Sequence, residues 1–274
     1  MKQLNRKTDR GRTGIFGKRI LFFLFLLLVV VVTGLLWCRY TTKDRQDRQR
    51  YEKLQEEKQK EGIPKLRKRY RDMVGWLEIK KTDFSYPVMQ TKNNPEYYLH
   101  RDEKGNYSFY GTPFLDSRCS LESDNLIIYG HNINGRRFFG YLQNYRDREF
   151  YESHKNLCFT KADGVEETYP IVSVIKTDID SDCYRYTDIY NDEEYRNLIK
   201  GILNDSLYRC EGVDVLEKEM NEETVEAFFH KYQFLTLSTC RTGEGRNARL
   251  LVIGCKRVRK SKIDDAHKGA SPKI

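Results

Sequence analysis

No alanine occurs before Ala162, no C-x-x-C or H-E-x-x-H spacing occurs anywhere, and no second long apolar run follows Cys38. Each absence excludes something. Signal peptidase requires small residues of the A-x-A kind after an apolar core, so the leading apolar segment has no good cleavage site. Trp37 stands where lipoprotein processing at Cys38 would need a small residue. Without the common zinc spacings, and with His154 and Cys158 as the only local pair, no metal and no other cofactor is expected. The missing second span predicts a single membrane crossing. The chain also lacks an internal repeat, which argues against a solenoid.

A basic body is lacking too. The net charge is +9, but residues 1–19 carry +6 and residues 256–274 carry +5, which leaves −2 for residues 20–255. A near-neutral body with basic ends excludes nucleic acid as the expected partner and suits tails that are solvated or lie at a membrane surface.

What is present begins with Ile20–Cys38, 19 residues without a charge and rich in Leu, Val and Phe. As a helix this run spans ~28 Å, close to the hydrocarbon thickness of a bilayer. It reads as an uncleaved signal anchor in the cytoplasmic membrane. The strongly basic flank at 1–19 contrasts with residues 39–61, which mix eight basic with six acidic side chains. The positive-inside rule therefore keeps the N-terminus cytoplasmic and everything after residue 39 extracellular. Residues 39–65 read as a polar helical stalk held by weak i,i+4 pairs. Leu66, Tyr70 and Met73 then form a short apolar stripe able to dock on a domain. The domain itself is placed at 66–258, and 259–274 reads as a basic disordered tail.

From Trp76 the pattern becomes short β-type runs between turn residues. The expected strands are Gly75–Ile79, Tyr86–Gln90, Gly111–Leu115, Asn125–Tyr129, Glu167–Lys176, Tyr232–Thr239 and Arg249–Lys256. Helical composition occurs at Glu193–Leu203, with Tyr195, Leu198, Ile199 and Leu203 on one face, and at Glu223–His230. Seven or eight strands at this spacing predict a mainly β fold, a closed or nearly closed barrel with helical insertions.

The chemistry concentrates in the segment Phe234–Cys240, which alternates polar and apolar residues and ends on a cysteine. A turn rich in Gly and polar residues follows, and Arg249 opens the next strand. A hairpin of this kind brings Cys240 and Arg249 to one mouth. A thiol of pKa ~8.5 is only a few per cent thiolate at neutral pH, and a nearby cation raises that share. An arginine stays charged and can hold a developing oxyanion, to which the Arg241 N–H adds a second donor. Arg246 competes with Arg249 for this role. A cysteine nucleophile also needs an acid for its leaving amine. Of the five histidines, His131 is best set, where the apolar strand Asn125–Tyr129 breaks at Gly130. His100, His154 and His230 sit in polar or helical surroundings, and His267 lies in the tail.

Thr236-Leu-Ser-Thr-Cys240 resembles the T-L-x-T-C signature of sortases in its class B form. Arg249-Leu-Leu-Val-Ile253 and Asn125-Leu-Ile-Ile-Tyr-Gly-His-Asn132 are similar to the segments that carry the sortase arginine and histidine. Val74–Ile79, Tyr86–Gln90, Tyr97–Leu99 and Phe114–Asp116 fit the class B lead-in, so the resemblance covers roughly residues 66–258. It implies an eight-stranded sortase barrel preceded by one transmembrane helix. It also implies a membrane-anchored cysteine transpeptidase of the Gram-positive cell wall. In that scheme Cys240 attacks the sorting signal of a secreted protein, of NPQTN-like or PxTG-like type. An amine of peptidoglycan or lipid II, or of another protein, resolves the thioacyl enzyme. His131 acts as acid and base, Arg249 steadies the oxyanion, and Asn94, Leu99, Ser238, Thr239 and Arg241 line the groove together with residues near Tyr184–Tyr190. The long insertion 177–231 and the missing second span favour class B over classes A and C.

Seven cysteines on an extracellular chain leave at least one thiol unpaired. Cys240 is that one if catalytic, and Cys255 is expected in the core. Three other readings stay open: a cysteine peptidase that releases surface proteins by hydrolysis, a pilin-linking sortase, and a surface receptor whose barrel binds without cleaving.

Overall fold

A computed structural model describes residues 10–133, 137–214, 216–217, 231–240, 245 and 247–258. The chain divides into two compact units, Met1–Gln49 and Arg50–Ile274. Helix α1 (Arg10–Glu61) contributes to both. In the first unit its side chains from residue 18 to 42 are exposed, and among the described residues it is the one helix long and apolar enough to cross a membrane. The Leu- and Val-rich run contains no proline, so every interior N–H can be satisfied within the helix, as a bilayer core demands.

The second unit is built on a closed barrel. Helix α2 (Ile63–Arg69) starts at Gly62, with Pro64 in its first turn where no amide partner is lost. Leu66, Tyr70 and Met73 are all buried, so the apolar stripe docks as its spacing predicts. The barrel strands are β1 (Met73–Glu78), β2 (Ser85–Met89), β3 (Phe114–Leu115), β4 (Asn125–Tyr129), β7 (Asn156–Lys161), β8 (Glu166–Asp178), β9 (Tyr232–Cys240) and β10 (Ala248–Arg257). They close in the order β1-β2-β3-β4-β9-β10-β8-β7. A short hairpin of β5 (Asn132–Ile133) and β6 (Arg137–Phe138) stands apart from the barrel. Most neighbours are antiparallel, but β2 with β3 and β4 with β9 run parallel.

Burial explains the sequence pattern. In β10, Leu250 and Val252 face the barrel interior, while Leu251 and Ile253 belong to a second apolar layer outside. Helix α4 (Asp192–Asn204) covers that outer face with Tyr195, Leu198, Ile199 and Ile202, so Leu-Leu-Val-Ile runs without alternation. Each such side chain contributes about 1.5–3 kcal/mol on burial. Ile202 is fully buried and Leu203 only partly, which moves the stripe by one residue from the expected one. Asn191 caps α4, its Oδ1 accepting from the Glu194 N–H at 3.0 Å, and three acidic residues occupy the first turn where the helix dipole favours them. The short helix α3 (Arg148–Ser153) leads into β7.

Strand β7 was not expected. Its residues after Asn156 are all buried, so the apolar–polar alternation that marks a half-exposed strand is missing. The run expected at Gly111–Leu115 pairs only at Phe114–Leu115. The helix expected at Glu223–His230 lies outside the described residues.

Asn125 ties the base of the barrel to the segment that follows β8. Its Oδ1 accepts from the Thr236 hydroxyl at 2.8 Å, and its Nδ2 donates to the carbonyls of Cys183 and Tyr186, each at 3.1 Å. The side chain is fully buried. Asn125→Ala strands three polar groups, two of them fully buried, and is expected to cost about 2–4 kcal/mol. Urea denaturation measures this directly, and a loss under about 1 kcal/mol would contradict the accounting.

Candidate active site

The site arises from register. In the parallel pair of β4 and β9, Tyr129 stands opposite Ser238. Both strands run out at the same end of the barrel, and the Gly130 N–H donates to the Ser238 carbonyl at 3.2 Å. Two residues beyond this pair lie His131 on one chain segment and Cys240 on the other. Strand β10 returns antiparallel to β9 with Arg249 opposite Cys240. His131, more than a hundred residues away in sequence, is therefore brought to the same barrel rim as Cys240 and Arg249.

Gly130 has a packing reason. A Cβ there would stand 2.3–2.6 Å from the ring of Phe139, which is fully buried over this position. Phe139 opens the 3-10 helix Phe139–Arg146, so the chain after His131 folds back and presses on the residue before it.

A groove of about 490 Å³ opens at the rim. Its lining includes His131, Arg249, Ser238, Thr239 and Leu99, five of the residues that the sequence singled out. Asn94 is exposed one position short of the lining, which takes in Pro95 and Glu96; its carbonyl accepts from the Tyr97 N–H at 3.0 Å. Arg241 and Arg246 lie outside the described residues, and Cys240 is described by its backbone position.

Several lining residues were not read as groove residues from the sequence: Phe114, Asp116, Tyr129 and Ile179 among them. Tyr129 carried a signal, since it ends the strand that leads to His131. Asp116 carried none, because the Tyr129 hydroxyl that it accepts from belongs to another strand. Its carboxylate takes two bonds from Arg118, Nε to Oδ1 at 3.0 Å and Nη2 to Oδ2 at 2.8 Å, and one from the Tyr129 hydroxyl at 2.9 Å. Burial opposes the charge on Asp116, but Arg118 and Tyr129 outweigh it and hold the carboxyl below its usual range. Arg118 also donates to the Tyr184 carbonyl at 2.9 Å. The Tyr184 ring stacks on Tyr129 with centroids 6.1 Å apart, and its hydroxyl lies 2.6 Å from Ser238 Oγ. This wall of the groove is aromatic in body and polar at its tips.

On the other side, His131 packs against His100 with ring centroids 5.0 Å apart. Burial lowers the His131 pKa, and the neighbouring His100 lowers it further, against a hydrogen bond to the Leu99 carbonyl that raises it. Its Nε2 is buried with no partner among the described residues. The remaining thiols have no such setting. Burial pushes Cys119 up to about 12 and Cys183 and Cys210 each up to about 11, which makes them inert at neutral pH. Cys38, Cys119, Cys158, Cys183 and Cys210 are free thiols, and Cys255 is buried in the core as expected.

The comparison with known proteins decides the family. Sortase B of Staphylococcus aureus is 30% identical over 258 residues, which cover 89% of this chain and 99% of that one. The chain belongs to the class B sortases. A Staphylococcus aureus sortase B–substrate complex superposes with a TM-score of 0.65 at 28% identity, covering 80% of this chain and all of that one. A crystal structure of sortase B complexed with triglycine gives 0.64 at 28% identity, covering 79% of this chain and 100% of that one. No protein-family model matches the chain. The sortase is a cysteine transpeptidase that acts in anchoring proteins to the cell wall.

The titration of His131 is open to measurement. In the Cys240→Ala sortase, where no thiol titrates alongside it, the His131 ring should titrate below the ordinary histidine value of about 6.5. His100→Gln removes a like charge and should raise that midpoint, while burial keeps it below the ordinary value. A midpoint in the NMR titration that is normal, or that falls in His100→Gln, contradicts this account.

Proposed function

We propose that Cys240 is the nucleophile, His131 the general acid and then base, and Arg249 the oxyanion partner of this sortase. The single observation that supports the assignment is the shared rim: β4 and β9 run out side by side, and β10 begins there with Arg249 opposite Cys240.

The chemistry follows in balanced steps. The Cys240 thiolate attacks the carbonyl carbon of the Thr–Gly or Thr–Asn bond in a sorting signal, forming a C–S bond. The carbonyl oxygen takes the negative charge, which Arg249 stabilises. The C–N bond then breaks as His131 protonates the leaving amine. An incoming amine attacks the thioester, gives its proton to His131, and expels the Cys240 thiolate. Because burial favours neutral imidazole, the reactive thiolate–imidazolium pair is a minority form at neutral pH.

The substrate is a secreted protein with an NPQTN-like or PxTG-like sorting signal, and the acceptor is an amine of peptidoglycan or lipid II. The triglycine bound to a related sortase B supports a short glycyl amine in the acceptor position. The apolar helix supports a single-pass anchor at 20–38, with the N-terminus cytoplasmic, a stalk at 39–65 and the catalytic domain 66–258 outside.

The test is cleavage of fluorogenic sorting peptides by the full chain in detergent, with and without triglycine. Wild type should yield an amide-linked product. Cys240→Ala should lose at least about a thousandfold in turnover, and Arg249→Ala about a hundredfold. Equal turnover by Cys240→Ala would sink the assignment, and hydrolysis alone with every amine offered would point to a peptidase.

A further inference from the structure

From Arg50 onward α1 belongs to the second unit, and two of its side chains reach the segment behind His131. The Tyr51 hydroxyl donates to the Gly111 carbonyl at 2.5 Å, and Arg50 Nη2 donates to the same oxygen at 3.1 Å. Arg50 Nη1 also pairs with the buried Glu103 at 3.3 Å. Gly111 has φ +66, and a Cβ there would stand 2.2 Å from the Leu99 carbonyl oxygen and 2.6 Å from that of Tyr98. The peptide that Tyr51 and Arg50 grip therefore rests directly on the Tyr98 and Leu99 peptides. Leu99 leads directly into His100, whose ring centroid lies 5.0 Å from that of His131, and the Leu99 backbone raises the His131 pKa.

A second route leaves the Tyr51 ring. Its centroid lies 5.3 Å from that of Phe138, Phe138 lies 5.7 Å from Phe139, and Phe139 covers Gly130. Phe138 has φ 55 and ψ −136, a backbone conformation that side-chain-bearing residues rarely adopt. Tyr51 and Tyr86 pack on its ring at 5.3 and 4.9 Å. Both peptide neighbourhoods of His131, at Leu99 and at Gly130, thus trace back to one tyrosine on the helix that precedes the barrel.

We propose that Tyr51, assisted by Arg50, is a positioning residue for His131, so that the end of α1 sets the placement of the general acid. This rests on the reading of His131 as that acid. A tyrosine that merely fastened the helix would affect stability and leave turnover per folded molecule alone. A positioning residue lowers kcat with little change in KM, because the sorting signal binds in the groove and not against Tyr51.

The test measures peptide cleavage by the full chain in detergent, normalised to folded protein by thermal melting, for wild type, Tyr51→Phe, Tyr51→Ala and His131→Ala. Tyr51→Ala should lose about tenfold in kcat with KM within about twofold. Tyr51→Phe keeps the ring route, loses the bond to Gly111, and should lose about threefold. The His131 ring resonances should move in both variants. If Tyr51→Ala does not fold, Tyr51→Phe alone decides, and wild-type kcat with unmoved His131 resonances overturns the proposal. A rise in KM alone also overturns it. An inactive His131→Ala beside a fully active Tyr51→Ala refutes the positioning role only, whereas an active His131→Ala refutes the general acid itself.

Discussion

The parallel pairing of β4 with β9 is the constraint on which the rest of this sortase depends. Parallel neighbours cannot be joined by a tight turn, so the chain must leave β4, build β7, β8 and α4, and return before β9 can form. Closing so long a connection costs entropy that grows only slowly with length. Contacts at the base of the pair offset it. Asn125 reaches Thr236 across the two strands and also holds the Cys183 and Tyr186 carbonyls, so the same residue fixes the register and fastens the intervening segment. Shifting this register by one residue would exchange the barrel-interior and outer-layer sides of β9 and carry Cys240 away from His131.

Above that base the groove is preorganised. Asp116, Arg118, Tyr129, Tyr184 and Ser238 satisfy one another in a continuous polar chain, so the aromatic wall is already set before a substrate arrives. Opposite it, the imidazole is half-buried and favours its neutral form, and Arg249 brings a permanent cation to the rim. In the proposed mechanism the catalytic pair is not fully ionised at rest, and the advantage lies in placement, with donors fixed where charge develops. Placement in turn requires support from behind, which is the part that Tyr51 and Gly111 play in the proposal for the helix end.

Much of this was legible in the amino-acid order, for identifiable reasons. The barrel showed itself because short β-type runs recur between turn residues, and the amphipathic face of α4 because its apolar residues follow helical spacing. Cys240 and Arg249 were legible as neighbours because they flank a single hairpin, where sequence distance and spatial distance agree. Strand β7 was hidden because burial on both faces erases alternation. Asp116 and Tyr129 were hidden as groove residues because the contacts that join them to each other and to Tyr184 bridge separate segments.

The sequence by itself determined the local terms: an apolar run long enough for a bilayer, a basic flank, a cysteine at a strand end with an arginine opening the next strand, and a histidine where an apolar strand breaks. Backbone periodicity and near-neighbour chemistry suffice for these. Only the tertiary structure decided that His131 stands at the same rim as Cys240, that Tyr184 crosses to Ser238, and that Tyr51 lies behind the histidine. Those placements come from a non-local strand pairing and from side chains that meet across the closed barrel, and no periodicity along the chain records which strand becomes the neighbour of which.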